Sequence, residues 1–335
     1  MLSGRAFATH RGVTNPLPSS LASGCTFMGA VVLATYMPFC NPPVHPTVQP
    51  ADAQRKMAEL WNQPGDMASR DLFNGPWSAR HAPDPHATYT FLKPKAGGTS
   101  PGLHAVDPDG LEWSVKQGPE SNVEVTFSRV LSALGYHQPP VYYLPSFTLR
   151  NKDGAKRTER GGRFRPHLHA LKDVGEWSWQ ANPFVGLRPY QGLLVVQMLF
   201  NASDIKNSNT TMYELSEPRE GATRWYALRD IGTALGDTAR GHPAIADVDK
   251  FERYKFISGL YLGFVQFNYH GWHQELFTDR ITPEDVRWTC ELAGQLADAQ
   301  WADAFRAGGF EPEKARRFIA RLKEKIAEGK AIREQ

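Results

Sequence analysis

A carboxylate, a lysine and an asparagine stand at positions 204, 206 and 209 of the segment Asp204-Ile-Lys-Asn-Ser-Asn209, and a further carboxylate follows in Asp230-Ile-Gly232. A carboxylate beside a hydroxyl can accept or orient its proton. Carboxylate and amide oxygens are hard donors of the kind small divalent cations prefer. Upstream, Lys116 ends an apolar run, and Glu120 and Glu124 lie on the segment that follows it. Gly97, Gly98 and Gly102 sit in a turn ahead of that lysine, where backbone amides without a Cβ in the way can approach an anion closely. Each group also has a plainer explanation. Asp204 and Asn209 would suit an Asx-rich turn capping the preceding helix, Lys116 and Glu124 a solvent-facing strand end and helix, and the glycines an ordinary hairpin.

The pattern of apolar residues shows which elements must position these groups. Short β-type runs over Thr88–Leu92, His104–Val106 and Leu111–Lys116, separated by turn residues, predict an antiparallel meander. Val123, Phe127, Val130, Leu131 and Leu134 share one face of a helix over Glu120–Leu134, with Gly135 just past its end. Strands are expected at Val141–Leu144 and Phe164–Leu171, joined by the polar segment Arg150–Gly162. An apolar helix over Leu187–Phe200 then runs directly into Asn201 and the Asp204 segment. Strands over Thr210–Leu215 and Arg224–Leu228 flank a turn, and long helices are expected at Phe251–Tyr269, Pro283–Ala304 and Pro312–Glu328. A further helical patch, Ala51–Trp61, opens the folded part, with Trp61, Phe73 and Trp77 as anchors. The aromatic series from Tyr254 to Tyr269 reads as core packing.

In order and spacing these residues resemble the catalytic core of the protein-kinase superfamily. Asp204, Lys206 and Asn209 match its D-x-K-x-x-N loop, Asp230-Ile-Gly232 looks like its metal-binding D-F-G element, and the interval between them has room for one hairpin. Lys116 with Glu124 is similar to its strand lysine and helix glutamate; Glu120, one turn earlier, is the rival partner, and the register shared with Phe127 and Leu131 favours Glu124. The resemblance, which spans Tyr89 to Leu235, implies an α+β, two-lobed protein-kinase-like fold: a small antiparallel β lobe with one helix (87–180) and a larger, mainly helical lobe carrying the catalytic loop (181–335). It implies Asp204 as base, Lys206 as a cation at the transferred phosphate, and Asn209 and Asp230 as Mg²⁺ ligands. Lys116, Glu124, Gly97, Gly98 and Gly102 would hold ATP. The implied reaction moves the γ-phosphate of ATP to a hydroxyl of an unidentified protein or small-molecule acceptor. Ala202-Ser203 before the aspartate, Ile231 in place of Phe and the lack of an A-P-E element point to the atypical branches, the HipA-like, phosphoinositide-kinase-like and secreted Golgi-type kinases. Two other readings stay open: a catalytically silent nucleotide-binding module, and a metal-dependent hydrolase built on His167 and His169, with His270 and His273 as recruits.

Composition narrows the classes. A net charge of +3 over 335 residues, with acidic and basic groups interspersed, gives no reason to expect a nucleic-acid partner. Cys25, Cys40 and Cys290 make no disulfide framework. Residues 12–50 hold no Asp, Glu, Lys or Arg, Arg5 and Arg11 precede them, and Thr26–Tyr36 is apolar, the pattern of an export leader followed by a proline-rich linker. Export, or tethering to a membrane at the N-terminus alone, is therefore expected, with a cytoplasmic location as the alternative. Residues 51–86 read as an extension ahead of the β-rich part.

Overall fold

The computed structural model describes residues 56–97 and 100–333; the leader and linker, the start of the helical patch at Ala51 and the glycine at position 98 lie outside the described residues. Strands β1 (Thr88–Pro94), β2 (Gly102–Val106) and β3 (Glu112–Gln117) pair antiparallel in sequence order. The turn between β2 and β3 forms because Asp107 accepts hydrogen bonds from the Asp109 and Leu111 amides while Gly110 takes φ 86°. Period-two alternation turns Leu103, Ala105, Trp113 and Val115 inward. Helix α1 (Pro119–Ala133) follows, with Pro119 in its first turn.

Strands β4 (Tyr142–Arg150) and β5 (Lys156–Pro166) form a long antiparallel hairpin, and the sheet runs β1-β2-β3-β5-β4 and closes by parallel pairing of β1 with β4. Two expectations are corrected here. The β lobe expected to be antiparallel includes one parallel pairing, β1 with β4, although the meander β1–β3 itself is antiparallel, and the polar segment Arg150–Gly162 is mostly strand. The turn at Asn151–Gly154, with Gly154 at φ 87°, reverses the chain, and polar side chains such as Arg157 and Glu159 are tolerated because the hairpin tip projects into solvent. The strand expected to reach Leu171 stops at Pro166, and β6 (Leu171–Asp173) joins a separate sheet with β7 (Thr210–Arg219) and β8 (Ala222–Leu228).

The second half holds α2 (Arg188–Leu199), α3 (Val248–Arg253), α4 (Pro283–Ala293), α5 (Asp298–Ala307) and α6 (Pro312–Ala331). The helix expected over Phe251–Tyr269 ends at Arg253, and β9 (Ile257–Tyr261) and β10 (Phe264–Phe267) pair as a hairpin instead. Leu262 at φ 49° and Gly263 at φ 81° make the reversal, which helical geometry cannot accommodate. Phe256 and Tyr269 are buried as expected of core aromatics, whereas Tyr261 at that turn is exposed. The helix expected over Pro283–Ala304 is two, broken after Ala293; Thr282 and Asp285 form a reciprocal capping box at the first, and the Gln300 side chain accepts from the Ala297 amide at the second. The chain is thus mixed α+β, and no helix among the described residues is long and apolar enough to cross a membrane. Trp61 and Trp77 act as anchors, their ring nitrogens donating to the Leu134 and Gln138 carbonyls at 2.7 and 2.9 Å; Phe73 stays 39% exposed, with Arg306 over its ring.

One apolar core joins the two halves: Phe127 of α1 stacks on Phe200 at the end of α2 with centroids 4.1 Å apart. A second fills the closed sheet with Tyr89, Trp113, Phe147 and Phe164. The C-terminus of α2 decides how the chain leaves this core. The Asn201 amide bonds the Met198 carbonyl and the Ala202 amide bonds the Gln197 carbonyl, with Asn201 at φ 53°, which is a Schellman closure with Asn in the left-handed position. The Asn201 side chain donates to the Gly236 carbonyl at 2.7 Å and accepts from the fully buried Lys325 of α6 at 2.7 Å.

Asn201→Val, which strains the left-handed backbone and removes both side-chain bonds, should lower unfolding free energy by about 2–4 kcal/mol. Asn201→Gly, which keeps the conformation, should cost about half as much or less. Equal losses in urea denaturation would show that the backbone conformation is not what Asn201 supplies.

Candidate functional site

The segment after α2 is laced to the segment after β8 by main-chain bonds. The Leu235 amide donates to Phe200, Ser203 to Thr233, and both Arg229 and Asp230 donate to the Asn209 carbonyl at 2.8 and 3.2 Å. The Ser203 carbonyl accepts from the Trp272 amide and from the Tyr269 hydroxyl. Since Asn201 closes the helix, Asp204 and Asn209 are not used as its caps, and the plainer explanation offered for them by sequence does not hold. Instead the Asn209 amide nitrogen donates to the Asp204 carbonyl and carboxylate at 2.6 and 3.0 Å, and Lys206 Nζ lies 2.6 Å from the other Asp204 oxygen, over the face of Trp272. Asp204, Asn209 and Asp230 line one crevice together with Trp179, Gln197 and Thr233.

Opposite them, Lys116 near the end of β3 reaches across to the same place. Its ammonium lies 2.5 Å from Asp230 Oδ1 and 3.4 Å from Glu124, and it also pairs with Glu120. Sequence register preferred Glu124, but Glu120 is the closer carboxylate. The reason lies on β5: Arg163 and Arg165 occupy Glu124 Oε1 at 2.9 and 2.5 Å and draw it toward the sheet. Arg163 and Arg165 pair in register with Lys116 and Ser114, so all four side chains share one face. Arg165 also donates to the Arg229 carbonyl, fixing the residue before Asp230. Gly232 completes the fit, since a Cβ there would stand 2.6 Å from that of Glu120, inside contact distance.

Burial and charge act in opposite directions on this cluster. Burial alone would raise the Glu124 carboxyl and that of Asp230, but Arg163, Lys116 and Arg165 around Glu124, and Lys116, Lys95 and Arg163 around Asp230, outweigh it and hold both below their ordinary values. Burial would likewise lower Lys116; Glu124, Asp230 and Glu120 overcome it and keep the ammonium protonated. Burial brings Arg163 down to about 10, so it remains a cation at neutral pH. Lys95, in the loop between β1 and β2, is half-buried and lowered by desolvation and by the nearby Lys116. Sequence inspection missed Lys95, Arg163 and Arg165. The signal available for the two arginines is their period-two spacing around Phe164, but the strand expected there starts at Phe164 and leaves Arg163 outside it, whereas β5 begins at Lys156 and carries both.

The glycines divide. Gly97 lies in the β1–β2 loop at φ 74° with open space around it. Gly102 begins β2 at the position paired with Lys116, where a Cβ would meet the Val115 carbonyl at 2.7 Å, so its smallness serves strand approach. A cavity of about 380 Å³ adjoins the cluster, lined by Ser114, Arg165, His167, His169, Tyr213 and Arg229 among others. His167 and His169 therefore border one space, while His270 and His273 are engaged elsewhere, with Asn268 and with Glu275 and Gln180.

The depressed carboxyls fix a pH dependence. With ordinary values of 3.8 for Asp and 4.5 for Glu, the unfolded chain takes up protons before the folded one as the pH falls. Their stabilisation is present above those values and lost as the pH drops through the folded ones. Asp230→Asn should show a shallower fall in urea midpoint below about pH 4.5 than the wild type. Parallel curves for the two proteins would remove Asp230 from the cluster's electrostatics.

No protein-family model matches the chain, and no curated protein matches it. Among solved structures it is similar to the crystal structure of a Helicobacter pylori proinflammatory kinase, CtkA, with 12% identity and a TM-score of 0.43 over 74% of this chain and 95% of that one. A likeness of that depth adds no weight to any residue assignment.

Proposed function

We propose that the chain is an atypical kinase-like phosphotransferase that binds a Mg-nucleotide beside Lys116 and Asp230 and transfers its terminal phosphoryl group to a hydroxyl acceptor at Asp204. The convergence of Lys116, Asp230, Asn209 and Asp204 from three separate parts of the chain carries this reading. Phosphoryl transfer asks a protein mainly for positioning and charge neutralisation. Lys116 is desolvated and pinned by carboxylates, and with Lys95 nearby it offers fixed positive charge to phosphate oxygens. The cavity at Ser114, His167 and Tyr213 is of a size that takes a small organic ligand. It begins two residues along β3 from Lys116, which suits a base bound there and phosphates at the lysine.

The donor set fits Mg²⁺: Asp230 offers a carboxylate that is partly open to solvent, and Asn209, whose nitrogen is spent on Asp204, keeps its side-chain oxygen as a hard donor. Bound there, the ion would neutralise charge on the phosphates. Asp204, held between Asn209 and Lys206, would orient the acceptor hydroxyl and take its proton. Lys206, partly exposed beside it, would face the transferred group as a cation.

Mg-ATP should raise the melting temperature of the wild type and of Asp204→Asn by the same amount and that of Asp230→Ala by much less, because ligand bound to the native state stabilises it in proportion to affinity. Phosphoryl transfer, read as nucleotide turnover, should fall roughly 10²- to 10⁴-fold in Asp204→Asn. An unshifted wild type would end the nucleotide proposal. A shifted wild type without turnover would leave the silent binding module as the reading, and full turnover in Asp204→Asn would take Asp204 out of the mechanism.

A further inference from the structure

The polar face of β3 that carries Lys116 continues to its far end at Glu112, where it meets two imidazoles. His104 on β2 and His167 just after β5 both point at Glu112: the His104 Nδ1 lies 2.8 Å and the His167 Nδ1 3.4 Å from Glu112 Oε1. The two rings meet edge to face with centroids 5.4 Å apart. Backbone pairing sets this arrangement. His104 is opposite Ser114, Val106 is opposite Glu112, and the His167 amide donates to the Glu112 carbonyl at 2.8 Å, so three neighbouring chain segments each contribute one side chain to one face. The opposite face holds Leu103, Trp113, Val115 and Phe164, packed in the sheet interior.

We propose that His104, Glu112 and His167 form a binding site for a zinc-class divalent transition-metal ion, distinct from the Mg²⁺ position at Asp230. One potential ligand atom from each residue lies within 4.8 Å of the others. A tetrahedral ion with bonds of about 2.0–2.1 Å sets its ligands about 3.3 Å apart; the two separations from Glu112, 2.8 and 3.4 Å, are near that value, and the remaining pair of ligand atoms lies within 4.8 Å. Two imidazoles and one carboxylate favour zinc and its neighbours over magnesium or calcium. With side chains 19%, 35% and 45% exposed, the site is open to solvent, and three protein ligands leave a fourth position for water or a bound group. Because His167 also lines the cavity beside Arg165 and Tyr213, the ion would clasp β2, β3 and the start of the following segment at the mouth of that cavity. His169, which sequence had paired with His167, is not part of the set.

The test is a zinc titration of the metal-free full-length chain in competition with a chromophoric chelator. The wild type should take up one zinc per chain at this site, His104→Ala and Glu112→Gln should each weaken that uptake at least tenfold, and His169→Ala should leave it unchanged. Glu112→Gln keeps the shape of the side chain, and a circular-dichroism melt of each variant separates lost binding from lost folding. Absence of zinc uptake by the wild type, or uptake equal in the wild type and both folded site variants, would overturn the proposal.

Discussion

The buried charge cluster around Lys116 is the constraint on which the rest of the site depends. Lys116, Arg163 and Arg165 from the sheet face Glu120 and Glu124 from α1 and Asp230 from the segment after β8. Taking such groups out of water is costly, and they are tolerated only because each charge meets opposite charges at close range; removing one partner from a buried pair commonly costs about 3–5 kcal/mol. The network therefore contributes less to net stability than to specification. Among arrangements of sheet, helix and β8 segment, those that leave Glu124 or Arg163 unpaired are strongly disfavoured, and Asp230 is drawn to the one place where Lys116 waits.

A second layer of constraint is backbone accounting. Every unpaired amide or carbonyl in this interior would carry a penalty. The bonds from Ser203 to Thr233, from Leu235 to Phe200 and from Arg229 and Asp230 to Asn209 satisfy those groups by running two distant segments side by side. Asn201 does the capping, with Lys325 behind it, which releases Asp204 and Asn209 to bond each other at the crevice. Small residues permit the approach: Gly232 passes against Glu120, and Gly271 passes close to the Ser203 carbonyl. The site is thus placed by capping and steric fit as much as by its own charges.

Elements with a strong apolar period were legible from the residues alone. α1, α2 and the β7–β8 hairpin lie within a few residues of where the period put them, because Phe127, Val130, Leu131 and the run Leu193–Met198 have one way to hide from water. The failures share a cause too. Tyr254–Tyr269 carries enough aromatic residues to satisfy a helical or a strand period, and only the left-handed turn at Leu262-Gly263 separates the two. The β4–β5 hairpin escaped notice because Lys156–Arg160 is polar on both faces, as a tip in solvent can be.

The chain order of lysine, glutamates, Asp204 segment and Asp230-Ile-Gly232, together with the periods that fold each stretch locally, is written in the residues and needs no coordinates. Which glutamate Lys116 approaches, that Arg163, Arg165 and Lys95 surround the same point, and that His104 and Glu112 stand beside His167 all depend on strand register and on pairings between residues far apart in sequence. Local preference says nothing about such pairings; they are chosen by the closing of the sheet, the packing of α1 on it, and the need of every buried charge for a partner.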